Sequence, residues 1–205
     1  MPSQFRLRRV FRPLVGWLAK QFHRLKITPN QVSVLGTVIA VIGCFFFIFI
    51  PDYLGSVLFA LFIFIAGILD GVDGSLARLT NSTSAWGGFL DSVLDRYTDS
   101  FVILSFLFRY PSSYVLLGVP LLFWVGFALI GVIMVSYIRI KAETHSIPNC
   151  DVGLAGRSER LFILVIFSSL NCIHASFSYI GLIIVAIISH LTAFYRVFYT
   201  LKFND

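Results

Sequence analysis

Charged residues are scarce in this sequence. Asp, Glu, Lys and Arg make up only 13% of the 205 residues, whereas 58% are hydrophobic and the mean hydropathy is +0.88. A soluble domain has a more polar surface than this, and a disordered chain has far fewer hydrophobic residues. The composition therefore predicts an integral membrane protein.

Cysteine is also scarce, and the three cysteines form no C-x-x-C pair of the kind that binds zinc. The net charge is +6, but the cations are confined to a few segments, and no basic tract is interleaved with aromatic residues. We therefore expect no nucleic acid partner. The cations are better explained by membrane orientation and phosphate binding.

Hydrophobic segments of about 20 residues are long enough to span a bilayer. We predict six transmembrane helices over about 31–50, 53–78, 85–108, 114–144, 157–170 and 177–201. Residues 1–27 combine many Lys and Arg residues with an apolar stripe, which is typical of an amphipathic helix in the headgroup layer. A secretory signal is the alternative, but no small-residue cleavage site follows. The fold class is thus all-α integral membrane, with six transmembrane helices preceded by an N-terminal amphipathic interfacial helix.

The chain shows no internal repeat or linker, so residues 1–205 are predicted to form a single domain, with 1–27 as the interfacial segment and 28–205 as the core. Six spans place both termini on one side of the membrane. All of the 16 Lys and Arg residues except Arg109 then lie at or near that side. The positive-inside rule identifies this side as the cytoplasm, so we expect a multi-pass cell-membrane protein with cytoplasmic termini and active site.

Two pairs of aspartates interrupt the hydrophobic segments. Asp70 and Asp73 lie three residues apart near the end of the second predicted span, and Asp91 and Asp95 lie four apart near the start of the third. Each aspartate at the centre of a lipid-facing helix costs about 2.5–3.5 kcal/mol, so compensation is expected. The spacing places each pair on one helix face, and two helices packed along these faces would gather four carboxylates. Carboxylates without nearby Cys or His favour a hard cation such as Mg²⁺ or Mn²⁺.

The aspartates belong to a longer pattern, D-x2-D-G-x2-A-R-x8-G-x3-D-x3-D. It is matched without a gap by Asp70, Asp73, Gly74, Ala77, Arg78, Gly87, Asp91 and Asp95. This pattern resembles the signature of the CDP-alcohol phosphotransferases. The resemblance implies a membrane transferase of phospholipid biosynthesis that moves a phosphatidyl-type group from CDP-diacylglycerol or CDP-archaeol to an alcohol and releases CMP. It also implies a homodimer.

The resemblance assigns roles to these residues. Asp70, Asp73 and Asp91 are expected to bind one or two Mg²⁺ or Mn²⁺ ions, with two the preferred number, and Asp95 is expected to act as the general base, as a metal ligand, or as both. The nucleotide is expected to contact a set made up of Asp73, Gly74, Ala77, Arg78, Gly87 and Asn30. For Asn30, capping the first transmembrane helix is an equal alternative. Asp99 lies outside the signature and is expected to pack against Arg96 or another span.

A second group of polar residues bears on the acceptor. Five cations lie at the predicted cytoplasmic ends of the last three helices: Arg139, Lys141, Arg157, Arg160 and Arg196. They either anchor these ends to acidic headgroups or bind a dianionic phosphate on the acceptor. The pattern resembles the branch that makes phosphatidylinositol phosphate and archaetidylinositol phosphate, although Gly156 stands where that branch commonly has an acidic residue. Inositol phosphate is therefore the expected acceptor.

Other functions remain as alternatives. Within the family, the acceptor could be glycerol 3-phosphate or an unphosphorylated alcohol such as serine or inositol. Outside it, the aspartates could form an ion relay in a transporter, or a hydrogen-bonded network in a catalytically silent scaffold. The transporter gives no reason for Gly74, Ala77, Arg78 and Gly87, and the scaffold would tolerate Asp91→Asn.

Overall fold

The computed structural model describes residues 10–111, 113–116, 118–145, 147, 152–153 and 156–202. These residues form seven α-helices and one short β-hairpin. The helices are α1 (Arg12–Arg24), α2 (Pro29–Phe49), α3 (Tyr53–Leu79), α4 (Ala85–Arg109), α5 (Leu121–Thr144), α6 (Arg157–Ser169) and α7 (Phe177–Leu201), and the strands are β1 (Val115–Leu116) and β2 (Val119–Pro120). A 3₁₀ turn, Leu170–Cys172, follows α6.

Local sequence signals set the helix starts that matter for the site. The side chain of Thr28 accepts a hydrogen bond from the Gln31 N–H, and the Gln31 side chain accepts one from the Thr28 N–H at 2.8 Å. This capping box, followed by Pro29, begins α2. At the start of α4, the Ser84 hydroxyl accepts a hydrogen bond from the Gly87 N–H at 3.0 Å.

Four of the helices are long and apolar enough to cross a membrane, namely α2, α3, α5 and α7. Of the other predicted spans, α4 carries a run of charged residues, and α6 has 13 residues. The chain is thus a helical membrane protein, while the count of six spans stays a prediction. The same holds for the placement of α1 in the headgroup layer, and residues 1–9 of the interfacial segment lie outside the described residues.

The predicted fourth helix is wrong at its start. The prediction began at about residue 114, but α5 begins at Leu121. Val115–Leu116 and Val119–Pro120 pair as antiparallel strands instead. Gly118 takes a φ of +74°, which a helix does not allow, and Pro120 caps α5 without an N–H to donate. These two turn-forming residues lie within a hydrophobic segment, so the hydropathy pattern alone did not indicate the turn.

The helices pack around α3, which contacts α1, α2 and α6. Three fully buried rings, Phe47, Phe59 and Phe106, form the centre of the main core, and the ring centroids of Phe47 lie 4.5 Å and 5.0 Å from those of the other two. A smaller core joins α1 to α2 and α3. There Gly71 allows close approach, because a Cβ at this position would lie 3.2 Å from a methyl of Val15.

Polar side chains gather at both ends of this bundle. The acidic end comprises the C-termini of α3 and α7 and the N-termini of α4 and α6. The distal end comprises the opposite ends of these helices. At the distal end Asn171 donates to the hydroxyls of Ser56 and Ser178 at 2.8 and 2.7 Å and accepts from the Ser178 N–H at 2.8 Å. Arg109 donates to the backbone carbonyls of Phe47, Ile50 and Asp52.

Candidate active site

The two acidic pairs face one another across α3 and α4. All four aspartates line a cavity of about 20 Å³, which is room for one water-sized particle. Asp70, Asp91 and Asp95 each present a carboxylate oxygen within 4.8 Å of the other two. A set of carboxylate oxygens this close is suited to a hard divalent cation, so these residues fit the Mg²⁺ or Mn²⁺ that the sequence predicts.

Asp73 is held in a fixed orientation beside this cavity. Its side chain is buried; one oxygen accepts a hydrogen bond from the Ser33 hydroxyl at 2.6 Å, and the other accepts from the Gly74 N–H at 2.5 Å. Ser33 comes from α2, so α2 and α3 meet at this point, and α4 and α6 complete the lining of the cavity. Both oxygens keep lone pairs for a further contact.

Arg157 of α6 reaches into the same cavity. Its Nη1 lies 2.5 Å from an oxygen of Asp70 and 2.8 Å from an oxygen of Asp95, and its Nε lies 3.1 Å from Asp99. The guanidinium thus supplies positive charge to three carboxylates that would otherwise repel one another. Arg96 of α4 also lies 3.8 Å from Asp95, so Arg157 is the nearer of two counter-charges of the acidic cluster among the described residues.

Arg160 lies one helical turn further along α6 and is 3% exposed. Its Nη2 contacts Asp99 at 3.5 Å, but its buried Nη1 has no hydrogen-bond partner among the described residues. The guanidiniums of Arg157, Arg196 and Arg96 lie near enough to interact electrostatically with Arg160. A buried guanidinium with an unused donor and positive neighbours is suited to binding an anion.

The other predicted acceptor cations are used differently. Arg196 is buried, and it donates to the backbone carbonyls of Val152 and Val135 at 2.8 and 2.7 Å, which ties α7 to α5. Arg139 pairs with Glu143 on the exposed side of α5 at 3.3 Å, and Lys141 is exposed on the same helix. Two of the five predicted cations, Arg157 and Arg160, therefore meet at Asp99. The acceptor-binding role of all five stays a prediction.

A larger cavity of about 650 Å³ opens beside the acidic cluster, between α1, α3 and α6. Its polar part includes Asp70, Gly74, Arg78 and Arg157, and its apolar part is lined by side chains of α3 and α6 that include Ile63, Phe64, Leu161, Phe162 and Val165. Phe11 at the start of α1 contacts Phe64 edge to face, with 5.5 Å between the ring centroids. The cavity therefore offers a charged head region and a hydrophobic tail region.

The remaining signature residues surround these cavities. The Arg78 guanidinium lies over Gly74, since a Cβ on this glycine would lie 3.5 Å from Arg78 Nη1. A Cβ on Gly87 would lie 3.3 Å from Asn30 Oδ1, so Asn30 faces α4 while Thr28 caps its helix. Ala77 is half-buried on α3, three residues beyond Gly74.

Sequence reasoning missed two contacts of this site. Asp99 was predicted to pack against Arg96 or another span, and it does contact another predicted span, α6, but its partners there, Arg157 and Arg160, were not identified. Ser33 carries no signal in the sequence, because a serine in an apolar helix is ordinary. Its contact with Asp73 depends on how α2 and α3 pack.

Comparisons with known proteins agree with this geometry. The family model for CDP-alcohol phosphatidyltransferases matches residues 26–195. The archaetidylinositol phosphate synthase of Pyrococcus horikoshii is 34% identical over 181 residues, which is 88% of this chain and 87% of the relative.

Two crystal structures of Mycobacterium tuberculosis phosphatidylinositol phosphate synthase share the fold. The structure with CDP-DAG bound is 23% identical and superposes with a TM-score of 0.75 over 92% of this chain and 94% of that chain. The structure in complex with manganese and citrate is 22% identical and has a TM-score of 0.75 over 91% and 88% of the two chains. The family match covers most of the chain and includes the whole acidic signature. The chain therefore belongs to the CDP-alcohol phosphatidyltransferase family and is a transferase of phospholipid biosynthesis.

Proposed function

We propose that this enzyme transfers a phosphatidyl or archaetidyl group from a CDP-linked lipid to a hydroxyl of inositol phosphate and releases CMP. The observation that carries the choice of acceptor is the buried Nη1 of Arg160, which has no partner in the described part of the chain; Arg160 contacts Asp99 and lies near three other guanidiniums. An acceptor that brings its own phosphate satisfies this donor. The name of the Pyrococcus horikoshii relative supports the same acceptor.

The donor lipid is assigned to the 650 Å³ cavity. Its polar part takes the CDP group, with Gly74 leaving room for close approach and the exposed Arg78 pairing with phosphate oxygens. Its apolar part, along Phe64 and Leu161, takes the start of a lipid chain. Ala77, Gly87 and Asn30 complete the predicted nucleotide contacts.

Metal binding is assigned to Asp70, Asp91 and Asp95, with Asp73 contributing an oxygen from the same cavity. We propose two Mg²⁺ or Mn²⁺ ions. When bound, such ions neutralise the diphosphate of the donor and the charge that develops on departing CMP. Ser33 and the Gly74 N–H orient Asp73 for this task.

Asp95 is the proposed general base. It lies one helical turn from Asp91 on the same face of α4, and it is 19% exposed, so an acceptor hydroxyl has access to it. Its contact with Arg157 places it next to the arginines assigned to the acceptor phosphate. A base at this junction lies between the donor and acceptor regions.

The remaining predictions complete the proposal. The acidic end and both termini are assigned to the cytoplasm of a cell membrane, where a soluble acceptor and CMP exchange freely. A homodimer is proposed on the family resemblance.

The test is an acceptor panel. Purified protein in lipid nanodiscs is given CDP-diacylglycerol or CDP-archaeol, Mg²⁺, and in turn inositol phosphate, glycerol 3-phosphate, inositol or serine, and CMP release is followed. The proposal predicts the highest kcat/KM with inositol phosphate, and a higher rate with glycerol 3-phosphate or a free alcohol would contradict it. Ion flux across sealed vesicles without CMP release would favour the transporter.

A matched pair of variants tests the acceptor pocket. Arg160→Gln is expected to lower kcat/KM for inositol phosphate by about 100-fold, because a buried charge-assisted pair is lost. Arg24→Gln removes the same charge from the exposed last turn of α1. It is expected to change kcat/KM for inositol phosphate by less than about 2-fold. Equal effects of the two substitutions would contradict the assignment.

A further inference from the structure

Arg157 lies between two sets of charges. Its Nη1 contacts Asp70 and Asp95, which are two of the three carboxylates suited to a divalent cation. Its Nε contacts Asp99, which also contacts Arg160. One guanidinium therefore joins the acidic cluster to the arginine with the unused donor.

The contacts of Arg157 at the acidic cluster compete with a metal ion. A divalent cation bound between Asp70 and Asp95 would lie close to Nη1, which contacts one oxygen of each carboxylate at 2.5 and 2.8 Å. A positive guanidinium at this distance also repels the ion through space, and the side chain is only 17% exposed, so water screens this repulsion weakly. Metal binding must therefore move Arg157 or be weakened by it.

A ligand bound at Arg160 could draw the Arg157 guanidinium away from the acidic cluster. Arg157 and Arg160 are three residues apart on α6, so they lie on the same helix face. A phosphate that accepts from Nη1 of Arg160 adds negative charge near Arg157, whose Nε shares Asp99 with Arg160, whereas Asp70 and Asp95 contact its Nη1. That charge attracts the Arg157 guanidinium and loosens its contacts with the acidic cluster.

We propose that Arg157 is a resident counter-cation of the acidic cluster and couples its two ligands, so that a phosphate bound at Arg160 tightens metal binding at Asp70 and Asp95. The phosphate source follows from the proposed function, in which the acceptor carries it. Because linkage is reciprocal, metal binding tightens phosphate binding by the same factor. The carboxylates thus remain neutralised when neither ligand is present, and the site fills with metal and acceptor together.

The first experiment measures metal binding without any turnover. Mn²⁺ is titrated into the full chain in nanodiscs, and electron paramagnetic resonance reports free Mn²⁺ with and without saturating inorganic phosphate, corrected with protein-free phosphate samples. In the unsubstituted protein, phosphate is expected to tighten Mn²⁺ binding by about 10-fold. An unchanged Mn²⁺ affinity would overturn the proposal, and this measurement needs no substituted protein.

The second experiment removes the counter-cation. Arg157→Gln is expected to bind Mn²⁺ about 10-fold more tightly than the unsubstituted protein in the absence of phosphate, and the effect of phosphate is expected to fall below about 2-fold. Arg24→Gln, which removes an equal charge on exposed α1, is expected to keep both the original affinity and the phosphate effect. If Arg157→Gln binds Mn²⁺ no more tightly than Arg24→Gln, or retains the phosphate effect, the proposal is wrong.

This readout is separate from the proposed function. If CMP release fails with every acceptor while Arg157→Gln still tightens Mn²⁺ binding, the acceptor assignment fails and the role of Arg157 is supported. If inositol phosphate is turned over but Arg157→Gln binds Mn²⁺ as the unsubstituted protein does, the acceptor assignment is supported and the proposed role of Arg157 is wrong.

Discussion

The acidic end and the distal end of the bundle are both rich in polar side chains, but they satisfy them in different ways. At the distal end Asn171 uses its amide nitrogen and oxygen on Ser56 and Ser178, and Arg109 is shared among backbone carbonyls. At the acidic end Arg157 is shared among three carboxylates, and Arg160 keeps an unused donor. Polar groups that bond to one another stabilise a fold, whereas crowded like charges beside a charged donor without a partner among the described residues favour ligand binding.

The two described cavities agree with this difference. Both lie at the acidic end, one between the four aspartates and one beside them. Substitutions at this end are therefore expected to change activity more than stability, and substitutions at the distal end are expected to do the opposite.

The largest expected effect is that of Asp91→Asn at the acidic end. CMP release at saturating Mg²⁺ should fall by at least about 100-fold, because one of the three clustered carboxylates is lost. The thermal midpoint should stay the same or rise, since like-charge repulsion is relieved. The control is Asp52→Asn at the distal end, where the side chain is exposed and makes no cap hydrogen bond. Normal turnover by Asp91→Asn would contradict the enzyme mechanism.

At the distal end the next largest effect is expected from Asn171→Ala. The free energy of unfolding should fall by about 2–4 kcal/mol, because buried partners on Ser56 and Ser178 lose their hydrogen bonds. The kcat of the folded fraction should remain within about 2-fold. Denaturant titration in detergent measures the free energy of unfolding, and CMP release measures kcat. A fall in kcat without a fall in the free energy of unfolding would show that the two ends are not independent.

A pair of glycines on α3 compares the ends directly. A Cβ at Gly55, near the distal end, would press against the Ile50 carbonyl oxygen and lie 2.8 Å from that of Phe46. Gly55→Ala should therefore cost about 1–3 kcal/mol of folding free energy, because backbone atoms cannot move aside as a side chain can. A thermal midpoint equal to that of the unsubstituted protein would show that the α2–α3 turn yields easily.

The smallest expected effect is that of Gly67→Ala, the other member of the pair. Gly67 lines the large cavity, and a Cβ there meets no atom of the described residues within 4 Å. The thermal midpoint should be unchanged, while KM for the CDP-linked lipid should rise by about 2- to 5-fold, since a methyl occupies donor space. An unchanged KM would place the lipid elsewhere.

Much of this organisation was accessible from the sequence. The predicted bounds of α2, α3, α4 and α7 agree with the structure within about two residues, because breakers such as Pro29, Pro51 and the 81–84 turn flank long apolar runs. The start of α5 was wrong, since hydropathy alone does not register Gly118 and Pro120.

The candidate site also has one part that the sequence predicted and one part that it did not. The spacing of the aspartates within each helix predicted two shared faces, and all four side chains do line one cavity. The contact between Arg157 and Asp70 spans 87 residues of sequence and depends on how α6 packs against α3, which no local pattern encodes. Local periodicity therefore predicts which residues share a face, and only tertiary packing decides which faces meet.

The most direct test of the central claim is an anomalous difference map from crystals of the protein soaked in Mn²⁺. The account predicts a Mn²⁺ peak within bonding distance of the carboxylate oxygens of Asp70 and Asp91, at the cavity that Asp95 also lines. Asp91→Asn crystals treated identically should lose this peak. A map in which Mn²⁺ lies away from these carboxylates, with Asp70 and Asp91 both unligated, would contradict the account.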